Sequence, residues 1–416
     1  MKKQLLALTA MLAIAGLASC TGKTEKMKVG LLTLHGEDST YDKNFIDAFK
    51  AACDAKGVEG KVQTDVPEGA ACTTAADNMV DDGAKLIFAD SFGHESHLLA
   101  SAEKAPEVQF CHATGNLAHT ANQANFHDAF ASIYEGRYLA GVAAGMKLQE
   151  MIAANPNTSK KIGYVGAYPY AEVISGFTSY YLGVKSIVSD VTMEVRYTNS
   201  WYKEAAEKAA ANALIDGGCS IISQHADSWG APTACEAKNV PNISYNGSTE
   251  VNCPNTFVIS SKINWQPYFE MCIDAVKEGK SIDTDWTGTI ATESVQITEL
   301  GKKAPAAGTQ AKLDEVKATL KNGSLKVFDC SKFTVNNAKA DTSAFSKAAN
   351  ITMDADGHLT GYLADVNFDE AYTGDTEAIK TEGGKTYFAE SEKRSAPYFD
   401  IIIDGISVGA DIVVED

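Results

Sequence analysis

The chain has 416 residues, 45% of them hydrophobic and 22% charged, with 33 glycines and 10 prolines. That is enough chain for two globular domains and too even a mixture for a disordered or fibrous protein. Its 54 acidic side chains outnumber 36 basic ones for a formal charge of −18, and a surface of that sign repels phosphate backbones, which excludes nucleic acid as a partner.

The one long apolar stretch is N-terminal. Lys2 and Lys3 precede an apolar core from Leu5 to Leu17, and Leu17-Ala18-Ser19-Cys20 closes it with small residues before a cysteine, the pattern of an export signal. The closing tetrapeptide resembles a bacterial lipobox, which implies cleavage before Cys20 and lipid on its thiol and new amino terminus. On that reading residues 1–19 are a lipoprotein signal peptide and 20–27 a polar tether. The protein then sits in the cell envelope, held to a membrane through the lipid on Cys20, on its periplasmic or extracellular face. No later segment is long and apolar enough to span a bilayer as a helix.

From Lys28 onward short β-branched apolar runs alternate with longer helical patterns, as in a parallel sheet buried on both faces. Strands are predicted at 29–34, 60–66, 84–89, 108–113, 161–167, 192–198, 220–225, 242–245 and 256–260. Helices are predicted at 43–56, 70–82, 96–104, 130–153, 172–188, 202–217, 231–238 and 267–279. The turn-rich stretch 155–161 reads as a crossover, after which the β-α pattern restarts. Two such halves predict an α/β protein of two doubly wound parallel-sheet lobes, with a ligand cleft between the carboxyl ends of their strands. Lobe 1 is placed at 28–155, completed by about 256–290, and lobe 2 at 156–255, completed by part of 291–335. Turns at Asp354-Ala355-Asp356-Gly357 and Glu382-Gly383-Gly384-Lys385 flank short strands at 358–362 and 385–388, so 336–416 is predicted to be a β-rich C-terminal extension.

Several chemistries lack their motifs. There is no G-x-x-x-x-G-K-[ST] loop, no G-x-G-x-x-G after the first strand and no G-x-S-x-G, so nucleotide hydrolysis, dinucleotide redox work and the simplest hydrolase reading have no cradle. His94, His97, His112, His119 and His127 have no H-E-x-x-H frame, and Asp354 to Gly357 begins like a calcium loop without its downstream glutamate. No catalytic residue, cofactor or metal is assigned. His112 and His225, at strand ends, are the candidates an enzyme would need, and a packed neutral histidine is commoner at such places. With Cys20 lipidated, eight of the nine cysteines remain. Cys111, Cys219 and Cys272 sit in apolar runs and read as buried thiols, whereas Cys53 with Cys72 and Cys235 with Cys253 are close enough in sequence to pair.

Aromatic residues follow the predicted strands where a cleft would lie: Tyr41, Phe92, Tyr168, Tyr170, Trp201, Trp229 and Trp265. Their faces can stack on a planar ligand ring. Asp38, Asp42, Asp227 and Asn246 at the same strand ends can supply directional hydrogen bonds. The candidate ligand-binding set is Tyr41, Asp42, Phe92, Tyr170, Trp201, Asp227, Asn246 and Trp265.

Ser91-Phe92-Gly93, the run Ala105 to Gly115, Tyr134-Glu135-Gly136-Arg137-Tyr138-Leu139-Ala140-Gly141 and Ile162-Gly163-Tyr164-Val165-Gly166-Ala167-Tyr168-Pro169 are joined by Thr198-Asn199-Ser200-Trp201-Tyr202, Gln224-His225-Ala226-Asp227-Ser228 and Asn264-Trp265-Gln266-Pro267-Tyr268. In that order and spacing the chain resembles the basic membrane protein (Bmp) family of substrate-binding lipoproteins that serve ABC importers. The resemblance spans about Val29 to Gly279. It implies a type I periplasmic-binding-protein fold, a purine nucleoside or nucleobase as ligand, and an ABC permease with its ATPase as partners. Asp38-Ser39-Thr40-Tyr41-Asp42 fits the family's first loop and makes Tyr41 the stacking ring. Asp42 replaces the family's Asn or Thr, and Asn246 stands where an acid usually receives sugar hydroxyls. Other ligands on the same fold (a flavin, a sugar, an amino acid) and a sensor or adhesion lipoprotein are the alternatives.

Overall fold

The computed structural model describes residues 25–335, 351–364, 372–412 and 414. The signal peptide, Cys20 and part of the C-terminal extension lie outside them. Five strands come first: β1 (Lys28–Leu32), β2 (Glu59–Gln63), β3 (Ala84–Ala89), β4 (Gln109–Ala113) and β5 (Phe126–Ala131). Between them run α1 (Thr40–Lys56), α2 (Ala70–Asp81) and α3 (Glu95–Ala102), and α4 (Ile133–Ala154) crosses to the second half. There β6 (Lys161–Gly166), β7 (Thr192–Tyr197), β8 (Ile222–His225), β9 (Asn242–Tyr245) and β10 (Phe257–Ile263) alternate with α5 (Ala171–Lys185), α6 (Glu204–Asp216) and α7 (Gly230–Lys238). The chain then returns through α8 (Gln266–Glu278), β11 (Asp285–Gly288), β12 (Val295–Ile297) and α9 (Thr309–Lys321).

Two sheets result. The first has the order β11-β5-β4-β3-β1-β2, all of its strands parallel. In the second, β10-β9-β8-β6-β7 runs parallel, β12 closes one edge antiparallel to β10, and Ile406–Val408 (the last strand in sequence) adds to β7 at the other edge. This is the periplasmic-binding-protein α/β architecture, with each sheet's carboxyl ends turned to the interlobe cleft. In the C-terminal region β13 (Ile351–Met353) pairs with β14 (Leu359–Tyr362) and β15 (Ile379–Glu382) with β16 (Lys385–Phe388), before the edge strand β17 (Ile406–Val408). Phe328 stacks on Phe399 at 4.6 Å and 12°, with Tyr134 of α4 5.3 Å away, so the β-rich region leans on the crossover helix.

The helix ends follow local chemistry. Ser39 caps α1 by accepting from the Asp42 N–H, and Gly57 ends it at φ 65°, a conformation that costs glycine little. Pro267 opens α8 and Gly279 closes it at φ 64°. α4 and α5 touch backbone to backbone: a Cβ on Gly141 would lie 2.1 Å from the Tyr180 carbonyl, and one on Gly183 2.2 Å from that of Tyr138.

Three sequence expectations are corrected. The crossover helix was predicted from 130, but Phe126–Ala131 is a fully buried strand, and the polar His127 and Asp128 within it hid the apolar run. Phe257–Ile263, expected in the segment that completes lobe 1, pairs in the second sheet, and β11 is the strand that returns to the first. The eight described cysteines are all buried free thiols, so neither Cys53–Cys72 nor Cys235–Cys253 is bonded. Cys53 belongs to one apolar cluster and Cys72 to another, which keeps those two apart.

Candidate functional site

The strand ends of both sheets meet at a narrow cavity between the lobes. From the first sheet come Leu34 and His35 after β1, Tyr41 and Asp42 in the first turn of α1, Ser91 and Phe92 after β3, and Thr114 after β4. The second sheet contributes Glu172 at the start of α5, Trp201 after β7, His225 and Asp227 at the end of β8, and Tyr245 ending β9. The lobes are in contact across it. The Thr40 N–H donates to the Asp227 carbonyl at 3.2 Å, Tyr202 donates its hydroxyl to Asp38 Oδ2 at 3.3 Å, and Phe92 lies 5.5 Å from Tyr170.

Tyr41 and Asp42 are held by their own lobe. Tyr41 donates its hydroxyl to the Asp90 carbonyl at 2.8 Å and rests on Phe45 at 4.9 Å, so its ring orientation is set before any ligand arrives. Asp42 accepts from the His35 N–H at 2.8 Å and from Ser39 Oγ at 2.5 Å. Burial disfavours its charge, but the hydrogen bonds from His35 and Ser39 outweigh that and hold it below the usual carboxylate range. Asp227 has the opposite balance. Burial, reinforced by Asp42, Glu207 and Glu172, pushes it well above that range, and among the described residues its carboxyl makes no hydrogen bond. It is an unsaturated polar group aimed at the cavity.

The second lobe adds a coupled trio. His225 Nε2 lies 3.2 Å from Glu172 Oε1 while its Nδ1 is buried without a partner. Burial lowers its pKa against the pull of Glu172, so the neutral ring donates from Nε2 and leaves Nδ1 as an acceptor. Below it Arg137, fully buried on α4, lays its guanidinium 3.5 Å over the Tyr245 ring and donates Nη1 to the Gln224 carbonyl at 2.9 Å. Among the described residues no lysine or arginine lines the cavity itself. Aromatic faces with three carboxyls and no fixed cation suit a planar ligand rich in N–H or O–H donors and disfavour a phosphate ester.

Of the eight predicted contact residues, Tyr41, Asp42, Phe92, Trp201 and Asp227 line this cavity. Tyr170 stacks on Tyr168 at 5.0 Å and 12°, 6.0 Å from Trp201, as part of an aromatic rim. Asn246, at φ 60°, gives its N–H to the Ser261 carbonyl; its buried Nδ2 has no partner, and it does not line the cavity. Trp265 is corrected to a core residue: it is 1% exposed, stacked on Phe45 at 4.4 Å and on Phe269. Sequence reading missed His35, Ser91, Thr114, Glu172 and Tyr245 as lining groups and held His225 only as an acid/base candidate. Their common signal is position, each within a few residues of a strand's carboxyl end.

Residues 29–327 match the family described as Bmp, ABC transporter substrate-binding protein PnrA-like. The chain belongs to the Bmp family. It is therefore the substrate-binding component of an ABC transporter, a binding protein and not an enzyme. A purine-binding protein of Brucella abortus is 33% identical over 258 residues, 61% of this chain and 70% of that protein. A Haloferax volcanii protein proposed to bind glucose for an ABC transporter is 31% identical over 278 residues, 66% of each chain. A solute-binding protein structure from Aeropyrum pernix superposes with a TM-score of 0.62 at 17% identity, over 73% of this chain and 93% of that one, a likeness of fold alone. The Bmp match ends near residue 327, so the paired strands β13 to β16 and edge strand β17 lie beyond it.

Proposed function

We propose that this Bmp-family chain captures a purine, as free base or nucleoside, between its two lobes and presents it to its permease. The observation that carries the reading is the cavity: Tyr41, Phe92, Trp201 and Tyr245 offer ring faces, and Glu172 and Asp227 offer carboxyls without an opposing cation. A purine edge carries ring N–H and amino donors that carboxylates accept, and its face stacks on aromatic rings. The purine-binding relative from Brucella abortus supports the class. Closure is a hinge motion at the crossovers, and contacts to both lobes give the ligand its preference for the closed form. We assign membrane attachment to lipid on Cys20, and among the described residues no helix is long and apolar enough to cross a membrane.

The test is a thermal-unfolding screen of protein unfolded and refolded to strip carried-over ligand, against nucleobases, nucleosides, flavins, sugars and amino acids. At a hundred times its dissociation constant a ligand adds about 2.7 kcal/mol of stability. Purines are expected to raise the unfolding temperature; a rise with glucose alone would replace this reading with a hexose one. Metabolic labelling with a clickable fatty acid is expected to tag the wild type and leave Cys20→Ala unlabelled.

A further inference from the structure

Behind the cavity floor, three buried side chains from three elements converge: Glu95 on α3, His112 on β4 and Asp128 on β5. One ligating atom of each lies within 4.8 Å of the other two. Backbone contacts already fix one oxygen of each carboxylate. Glu95 Oε1 accepts the N–H groups of Asn116 and Leu117 at 2.6 and 2.7 Å, and Asp128 Oδ2 accepts that of Ala118 at 2.9 Å. His112 Nε2 lies 2.8 Å from the Ser91 carbonyl, which can only accept, so Nε2 carries the proton and Nδ1 presents a lone pair.

That lone pair faces the lone pairs of Asp128 Oδ1 at 3.8 Å, and neither atom has a hydrogen-bond partner although both are buried. Opposed buried acceptors repel unless a proton or a cation lies between them. The third side of the space is Gly115, where a Cβ would lie 2.1 Å from Asp128 Oδ1, 2.5 Å from Glu95 Oε1 and 2.5 Å from His112 Nδ1. Only glycine at 115 lets these three side chains keep their places beside the backbone.

We infer that Glu95, His112 and Asp128 form a site for one zinc ion. Two carboxylates and a neutral imidazole balance a divalent charge, and this mixed nitrogen and oxygen set suits zinc better than magnesium or calcium, which prefer oxygen alone. The 3.8 Å between Asp128 Oδ1 and His112 Nδ1 needs to shorten only to roughly 3.4 Å, the edge of a tetrahedron of zinc bonds. The ion would tie the ends of β4 and β5 to α3, directly beneath Ser91 and Thr114 of the ligand cavity, and so stiffen that wall.

The experiment uses the full-length chain extracted in detergent and purified without chelator or histidine tag. Zinc is counted by plasma mass spectrometry after dialysis, and thermal unfolding is followed after EDTA treatment and on return of zinc chloride. The expected result is close to one zinc per chain, a thermal midpoint that falls with EDTA and recovers with zinc, and about tenfold or more loss of zinc in Asp128→Asn. Equal zinc in the wild type and Asp128→Asn would overturn the site. So would zinc lost instead in His358→Ala, which would place it at the exposed Asp354, Asp356 and His358. If Asp128→Asn does not fold, Glu95→Gln gives the same reading. A wild type that takes up no zinc and shows no thermal response would mean that the three groups share a proton, and would overturn it independently of any variant.

Discussion

The two tryptophans that looked alike in sequence separate the binding from the folding role. Trp201 lines the cavity and meets Tyr168 edge-on at 5.1 Å, whereas Trp265 is enclosed by Phe45, Phe269 and Tyr268. Trp201→Ala is expected to weaken ligand binding by about 2 kcal/mol, roughly thirtyfold, with little change in unfolding, as calorimetry and denaturation would read. Trp265→Ala is expected to cost about 3–5 kcal/mol of stability; a binding loss without a stability loss there would return it to the site. Glu207 offers a pH test. Burial pushes its carboxyl up to about 7 from 4.5, despite hydrogen bonds from Ser228 and Lys203, and its Oε2 has no partner. A raised folded value means that the folded state holds the proton longer, so the wild type loses stability as pH rises through that window, by up to about 3 kcal/mol. Relative to the wild type, Glu207→Gln is therefore expected to gain from about pH 5 to pH 8 in urea unfolding; a constant difference would contradict this.

At the scale of elements, what could be read from sequence depended on pattern purity. The β-α alternation was visible because strands such as β3 and β6 are apolar but for one lysine each, Lys85 and Lys161, and α1 and α8 carry their caps in the sequence. β5 was lost because its His127 and Asp128 are buried, and their partners lie outside the strand, the Ala118 backbone ten residues back and the Asp283 backbone in distant chain. β11, β12 and the edge strand β17 are three or four residues long and gain order only by adding to a sheet edge, a signal that no local window holds. The candidate site was half legible for the same reason. Aromatic residues after strands stand out, but Glu172 and His225 matter only because α5 and β8 bring them within 3.2 Å. Of the α4–α5 contact Gly141 stood out in sequence, as part of a motif, and the structure supplies the reason for it and for Gly183 in carbonyls that a Cβ would strike. Gly183→Ala is expected to destabilise by about 1–3 kcal/mol in chemical denaturation, and an unchanged midpoint would mean that the helices separate at no cost.

For the whole molecule, the lobes meet through Thr40 to Asp227, Tyr202 to Asp38 and Asn44 to the Ile263 carbonyl. Among the described residues these are few polar contacts for two sheets of six and seven strands, so on the proposed function the ligand between the lobes would bias closure. Scattering is expected to give a smaller radius of gyration with purine than without, and equal radii would contradict a hinge. On the proposed function, the formal charge of −18 and a cavity lining that among the described residues holds no lysine or arginine would act together against anionic ligands and so disfavour nucleotides relative to nucleosides and bases. The most direct test of purine capture is titration calorimetry of refolded, ligand-free protein with adenine, hypoxanthine, adenosine and guanosine, with glucose as comparison. The expected result is saturable binding of one purine per chain, weakened in Trp201→Ala. No heat with any purine alongside saturable binding of glucose would contradict it.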